Sequence, residues 1–295
     1  MAKKIQKAIF PVAGLGTRFI PVTKVNPKEM LPIVDKPLIQ YAVEDAVKAG
    51  INNLIFINGR NKRAIEDHFD SAPELEQILL NKGKHQLLKQ IHDIIPPNAN
   101  CINIRQKEPS GLGNAVFCAK STVEKEPFAV VLADDLIING ANNSIKQMIE
   151  YHGEYPGNLV MVEEVPHDQV NNYGIIEGKQ IEEGVWKVDR LVEKPKPQEA
   201  PSNLGVIGRY ILNPSIFKYI KQTPIGVGKE IQLTDAIALQ MQHEPLHAVL
   251  CRGKRYDCGS KLGYLQANVD LALKHKEIKK NFKAYLKSLV ETEDF

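Results

Sequence analysis

Two stretches of the chain combine residue types and spacing suited to phosphate chemistry. The first is Gly14-Leu15-Gly16-Thr17-Arg18, placed directly after the apolar run 8–13. Glycines beyond a strand end let the backbone approach a ligand closely and offer N–H groups to phosphate oxygens. Arg18, Lys24 and Lys28 follow on a segment punctuated by Pro21, Pro27, Pro32 and Pro37. Prolines forbid a continuous helix there, so a stiff, extended loop is expected. A guanidinium fork and point-charge ammonium groups on such a loop suit a polyphosphate chain. The second stretch is the acidic pair Asp134-Asp135, which ends the apolar run 128–133. Two familiar phosphate motifs are excluded. The dehydrogenase fingerprint needs a small residue where Phe19 stands, and the Gly226-Val227-Gly228-Lys229 run continues into Glu230, not a hydroxyl, with Thr223 in place of the first Walker glycine.

The elements that must position these groups read as alternating short strands and helices. Residues 8–13, 54–57 and 128–133 are apolar runs expected as buried strands, and 101–105 looks like another strand. Residues 37–48, stopped by Gly50, and 62–69 and 114–119 carry helical patterns between them. Buried strands alternating with helices imply an α/β fold with a mostly parallel sheet covered on both faces. Ligands of such sheets sit beyond the carboxyl ends of the strands, where both the glycine loop and the acidic pair fall. The second half changes character. Residues 159–163, 174–177, 185–193 and 204–211 read as a smaller mixed-sheet lobe, followed by helices at 214–221 and 234–241 and a strand at 246–250. Residues 261–274 and 277–289 close the chain as helices, and the link 222–230, with Pro224, Gly226 and Gly228, is expected to be irregular. One domain covering 1–295 is expected, with a first half of about 1–150, a second lobe of about 151–260 and C-terminal helices of about 261–295.

Composition narrows the function class. With 43% hydrophobic and 25% charged residues in 295, the chain has ordinary globular character and enough length for a proper core. A net charge of only +3, spread along the chain, demands no nucleic-acid partner. Cys101, Cys118, Cys251 and Cys258 lack metal-ligand spacing, which excludes a zinc site or disulfide framework and points to a reducing cytoplasm. No apolar run has the length of a membrane span.

The motifs together resemble the bacterial UTP–glucose-1-phosphate uridylyltransferases of the sugar nucleotidyltransferase superfamily. The resemblance is carried by Ala13-Gly14-x-Gly16-Thr17-Arg18, Pro27-Lys28-Glu29-Met30-Leu31-Pro32-Ile33 and Asp35-Lys36-Pro37-Leu38-Ile39-Gln40-Tyr41. It continues through residues 107–116, 192–196, 201–210, 228–236 and 257–264, so it covers nearly the whole chain. It implies a Rossmann-like αβα sandwich and attack of glucose 1-phosphate on the α-phosphorus of UTP, giving UDP-glucose and pyrophosphate.

The resemblance also implies roles. Arg18 and Lys28 would bind the triphosphate and the pyrophosphate leaving group, and Lys194 the phosphate of glucose 1-phosphate. Glu193 would accept hydrogen bonds from glucose hydroxyls, with Gly174 adding a backbone contact. Mg²⁺ takes one or two carboxylates and fills its octahedron with phosphates and water, so Asp134 and Asp257 are its candidate ligands. Gln106 would complement the uracil edge, with backbone contacts from Ala13, Gly14 and Gly111. Asp135, adjacent to Asp134, should point away from the ion as a surface or turn-capping residue. Cys258 is expected to be a small buried residue, and the eight histidines show no ligand spacing. The C-terminal helices and the resemblance suggest a homodimer or homotetramer. Thymine shows the same hydrogen-bonding edge as uracil, and a pocket separates one methyl group by only about 1–3 kcal/mol, so dTTP stays open. A catalytically silent nucleotide-sugar sensor is the alternative of a different class; retention of Arg18, Lys28, Asp134, Lys194 and Asp257 together speaks against it.

Overall fold

The computed structural model describes residues 4–140 and 143–292. β1 (Lys7–Pro11) leads through three 3-10 turns to a small hairpin, β2 (Pro32–Ile33) and β3 (Lys36–Pro37), and to α1 (Leu38–Lys48). Then come β4 (Asn53–Asn58), α2 (Arg63–Phe69), α3 (Pro73–Asn81), α4 (His85–His92) and β5 (Asn100–Arg105). α5 (Leu112–Cys118), α6 (Lys120–Val123), β6 (Phe128–Val131), β7 (Asp135–Ile138) and α7 (Ser144–Glu154) complete the first half. The second half holds β8 (Asn158–Glu164), β9 (Gly174–Glu182), β10 (Val185–Glu193), β11 (Leu204–Leu212), α8 (Ile216–Gln222) and α9 (Leu233–Gln240). β12 (Leu246–Leu250), β13 (Lys254–Asp257), α10 (Lys261–Ala272) and α11 (Lys279–Thr292) finish it.

One nine-stranded sheet, ordered β5-β4-β1-β6-β11-β8-β12-β10-β9, runs through both halves. β5, β4, β1 and β6 are parallel neighbours, β8 and β12 are parallel, and β10 and β11 run against their partners. The second lobe therefore extends the first sheet, with β11 inserted between β6 and β8. The β9–β10 hairpin folds back far enough for Ile175 to pair with Gly205 of β11.

Strand alternation separates two cores. Ala8 and Phe10 of β1 join Ile39 and Val43 of α1 and Ile145 and Met148 of α7 on one face. Ile9 joins Val116 of α5, Phe217 of α8 and Ile237 of α9 on the other. All are buried, each large side chain contributing about 1.5–3 kcal/mol, and together they make the sheet the middle layer of an αβα sandwich.

The proline-rich stretch departs from the extended loop read in the sequence. It coils into 3-10 turns at Thr17–Phe19, Val22–Lys24 and Lys28–Met30. Proline's fixed φ is compatible with a tight turn as well as an extended chain. Ile20 and Leu31, the residues before Pro21 and Pro32, are extended and end the first and third turns. The prolines thus segment the loop. α1 starts at Leu38 directly after Pro37, and Gly50 takes φ +89° just beyond its end, as the stop signal implied. α3, α4, α6, α7, β2, β3, β7 and β13 were not read in the sequence.

Candidate active site

β1 and β6 pair directly in parallel register, so the loops after them emerge side by side at the carboxyl edge of the sheet. Gly16 turns the first loop with φ +65°, and a side chain there would lie 3.2 Å from both Lys28 Cβ and Thr23 Cγ2. Thr23 Oγ1 donates to the Gly16 carbonyl at 2.8 Å, locking the turn over Lys28. Lys28 Nζ lies 2.5 Å from Asp134 Oδ2, which joins the glycine loop to the acidic turn. Burial alone would lower the Lys28 pKa, but Asp134 and Glu29 outweigh it and raise it. Burial likewise pushes Asp134 up, and the Lys28 ammonium more than offsets this, lowering its pKa. Both groups are charged at neutral pH. Glu29, next in the chain, is buried against Lys62 Nζ at 2.7 Å and ties the same turn to the loop after β4.

The second carboxylate arrives on a two-stranded ribbon. β13 pairs antiparallel with β7, Asp257 opposite Asp135, and Cys258 N donates to the Asp134 carbonyl at 2.8 Å. Gly259 marks where the charged groups converge. A methyl there would lie 2.9 Å from Asp257 Oδ1, 3.2 Å from Asp134 Oδ2 and 3.5 Å from Arg18 Nη1. Arg18 Nη1 also donates to the Gly259 carbonyl at 3.4 Å. Burial, then the nearby Asp135, raises the Asp257 pKa. Cys258 is buried, and burial with three neighbouring carboxylates pushes its thiol up to about 12, so it is an inert packing residue at neutral pH.

Asp135 is neither exposed nor a turn cap. It is 8% exposed, accepts from Gly208 N at 2.8 Å and pairs with the Arg255 guanidinium at 2.5 Å. The chain enters β7 at this residue, and strand alternation turns its side chain toward β11 and β13.

On the other side of the cleft, Glu193 of β10 is opposite Gly174 of β9. Lys194 adopts φ +45°, and its N–H donates to the Tyr173 carbonyl at 2.9 Å. Lys194 Nζ lies 3.4 Å from Glu193 Oε1. A side chain on Gly174 would lie 2.9 Å from Thr234 Cγ2 and 3.3 Å from Glu193 Oε2, so glycine keeps this corner open. Arg18, Lys28, Asp134, Gly174, Glu193, Lys194 and Asp257 all line one cleft of about 970 Å³.

The residues read as base contacts are placed differently. Ala13 and Gly14 line an adjoining cavity of about 470 Å³ with Gly59, Arg60 and Lys62. Gln106 is 5% exposed, and its Nε2 donates to Asn114 Oδ1 at 2.7 Å. Gly111, at φ +102°, sits where a side chain would meet Glu230 Cβ and the Ile231 carbonyl at 2.7 Å. Ile231 N donates to Ser110 O at 2.8 Å and Gly113 N to Ile231 O at 2.9 Å, so the 222–230 link ends pinned to this glycine turn. Neither Gln106 nor Gly111 lines the two cavities, although Leu112, Glu230 and Gln232 reach the main cleft. Sequence reasoning missed Arg255, Thr234 and Glu230. Glu230 and Thr234 lie within the 228–236 stretch that carried the resemblance, and Arg255 stands two residues before Asp257 and so on its face of a strand.

Among the described residues, no three His, Cys, Asp or Glu side chains are grouped to hold a metal by themselves, and no helix is long and apolar enough to cross a membrane. A glycine turn, paired carboxylates and cations at the carboxyl edge of one sheet define a nucleotidyl transferase, and the chain belongs to that family, whose model matches residues 7–274. It is 48% identical, over 99% of its length and 98% of the relative's, to the UTP–glucose-1-phosphate uridylyltransferase YngB of Bacillus subtilis (strain 168). The UTP-bound UGPase from Acinetobacter baumannii superposes with a TM-score of 0.91 at 42% identity, over 97% of this chain and 100% of that one. A UDP-glucose pyrophosphorylase complexed with UDP-glucose superposes with a TM-score of 0.85 at 46% identity, over 92% and 100%.

Proposed function

We propose that the protein transfers the uridylyl group of UTP to glucose 1-phosphate, releasing pyrophosphate and forming UDP-glucose. The observation that carries this reading is a single cleft with Arg18, Lys28, Asp134 and Asp257 at one end and Gly174, Glu193 and Lys194 at the other. A phosphate monoester has a second pKa near about 6, so the attacking oxygen is already largely deprotonated at neutral pH and no general base is required. Its bond to the α-phosphorus forms as the bond to the bridging oxygen breaks, and pyrophosphate leaves with that electron pair. The chain's task is to hold two polyanions in line and neutralise the leaving group. Arg18 and Lys28 receive the triphosphate and then the pyrophosphate. Lys194 holds the sugar phosphate, and Glu193 accepts from glucose hydroxyls. Ala13 and Gly14 approach the nucleoside through their backbone; Gln106 and Gly111 become base contacts if the 226–232 segment gives way to the nucleotide.

The cofactor in this reading is Mg²⁺, held by Asp134 and Asp257. An all-oxygen pair of carboxylates that both approach Gly259, where no side chain would fit, suits a hard cation that takes its remaining ligands from phosphates and water. When bound, the ion would neutralise phosphate charge. A homodimer or homotetramer is proposed from the exposed Leu262, Leu265 and Val269, which repeat on one face of α10. Four free cysteines fit a reducing cytoplasm.

An assay of the five common nucleoside triphosphates against several sugar 1-phosphates, with and without Mg²⁺, tests the reading. UTP with glucose 1-phosphate is expected to give the highest kcat/KM, abolished by chelation. Preference for dTTP would move the protein to another transferase class, and absence of turnover with every pair would leave a sensor.

A further inference from the structure

We infer that Arg255 is a positioning residue that fixes the metal-side carboxylates relative to the sugar-phosphate lysine; this inference rests on the function proposed above. Its side chain is 7% exposed and spans three segments of the chain. Nε and Nη2 meet Asp135 Oδ1, while Nη1 donates to Glu163 Oε2 at 3.1 Å and to Tyr173 Oη at 3.3 Å. The Tyr173 ring centroid lies 5.2 Å from the guanidinium carbon. The other Asp135 oxygen accepts from Gly208 N at 2.8 Å, which anchors the cluster to β11.

Each arm of this cluster ends beside a group assigned to substrate. Asp135 follows Asp134, and Arg255 precedes Asp257 by two residues on the same strand face. Tyr173 precedes Gly174, and its carbonyl accepts the Lys194 N–H at 2.9 Å. The guanidinium is therefore the shared brace between the β7–β13 ribbon and the start of β9. Only an arginine serves here, because its planar fork donates to two carboxylates and a phenol at once, whereas an ammonium is a point charge. Without it, Glu163 loses its partner and Asp135 stands uncompensated beside Asp134 and Asp257, and repulsion among these three aspartates moves the ribbon away from Lys194. The UTP groups before residue 30 touch the ribbon end at Asp134 and Gly259 but have anchors of their own in the Gly16 turn and the Lys62–Glu29 pair. The brace thus controls one substrate more than the other.

The experiment compares Arg255→Lys, Arg255→Met and Tyr173→Phe in the full chain, varying both substrates and measuring UTP binding by calorimetry. A displacement of about 1 Å costs about 10²-fold in rate, so Arg255→Lys is expected to lower kcat by about that factor and to raise the KM for glucose 1-phosphate about tenfold, with the UTP Kd unchanged within about twofold. Tyr173→Phe shifts the same two parameters in the same direction by less. If Arg255→Met does not fold, the lysine and phenylalanine variants decide the matter. Equal changes in UTP and glucose 1-phosphate parameters, or a fall in thermal stability with kinetics intact, would overturn the positioning role. Wild-type turnover in the same assay tests the proposed function separately, and an inactive wild type overturns both.

Discussion

On the nucleotide side, Ala13, Gly14 and Arg18 follow β1 and Asp134 follows β6, two strands that pair in parallel with no intermediary. On the proposed sugar side, Gly174 and Glu193 meet across a folded-back antiparallel hairpin, and Tyr173 and Arg255 link Lys194 to the ribbon that carries Asp257. The first arrangement is set by backbone: strand ends, a left-handed glycine, turns ended by prolines. The second is set by buried side-chain charge, which the low local dielectric makes strong when complete and costly when broken. One side tolerates change in side chains away from its loops; the other depends on a few distant partners.

The nucleotide side carries two ion pairs as well, Lys28–Asp134 and Lys62–Glu29, and the more deeply buried Lys62–Glu29 pair puts this contrast at most risk. Lys62→Met strands a buried carboxylate and is expected to cost about 3–5 kcal/mol in urea unfolding. A loss below about 1 kcal/mol, the worth of an exposed pair, would leave backbone packing as the main support of that loop. Next in size, Lys28→Ala and Asp134→Asn should each lower kcat for UDP-glucose pyrophosphorolysis by about 10²–10³-fold with the melting temperature retained. Asp135→Asn, by contrast, weakens the Arg255 brace and should lower stability and raise the KM for glucose 1-phosphate while the UTP Kd holds; equal activity and stability profiles for the two neighbours would erase the distinction drawn between them. Gly111→Ala forces an alanine into φ +102° against Glu230 and Ile231, and strain of about 1–3 kcal/mol is expected in thermal melts. The smallest effect concerns competition for Asp134. Lys28→Met removes the ammonium from its carboxylate and should tighten Mn²⁺ binding to nucleotide-free protein about tenfold, read by paramagnetic resonance, since a charged hydrogen bond is worth about 1.5–3 kcal/mol. Unchanged or weaker Mn²⁺ binding would show that the pair does not mask the carboxylate.

The nucleotide side was largely legible in the sequence because its signals are local. Apolar runs at 8–13 and 128–133 announced β1 and β6, and the groups that matter follow them within a few residues. The cleft residues Arg18, Lys28, Asp134, Gly174, Glu193, Lys194 and Asp257 were all read correctly as neighbours, the last four only through resemblance to a known family. β13 was not legible: Lys254-Arg255-Tyr256-Asp257 is three-quarters charged and pairs only with β7, so no hydrophobic alternation marks it. Asp135 was misread for a related reason. Its partner Arg255 is 120 residues away, and nothing local distinguishes a buried aspartate from an exposed one. α3 and α4 escaped because their one-sided apolar patterns are interrupted by charges and leave Leu75, Ile78 and Leu87 exposed. Gly111 lies in the matched stretch 107–116 and Gln106 just before it, but nothing local to either says that Glu230 and Ile231, far along the chain, cover Gly111.

The pairing of β7 with β13 also has a meaning for how the molecule comes into being. Asp134 and its strand leave the ribosome early, within the first half of the chain, whereas Asp257 emerges only after every strand of the main sheet has been made. A growing chain can therefore assemble the glycine turn and its parallel strands while it still lacks the second acid. Synthesis is vectorial, so the proposed site gains its second acid with β13, after β12 has been made. In the proposed reading, the residues before 30 that receive the phosphates are made long before the second acid that works with them.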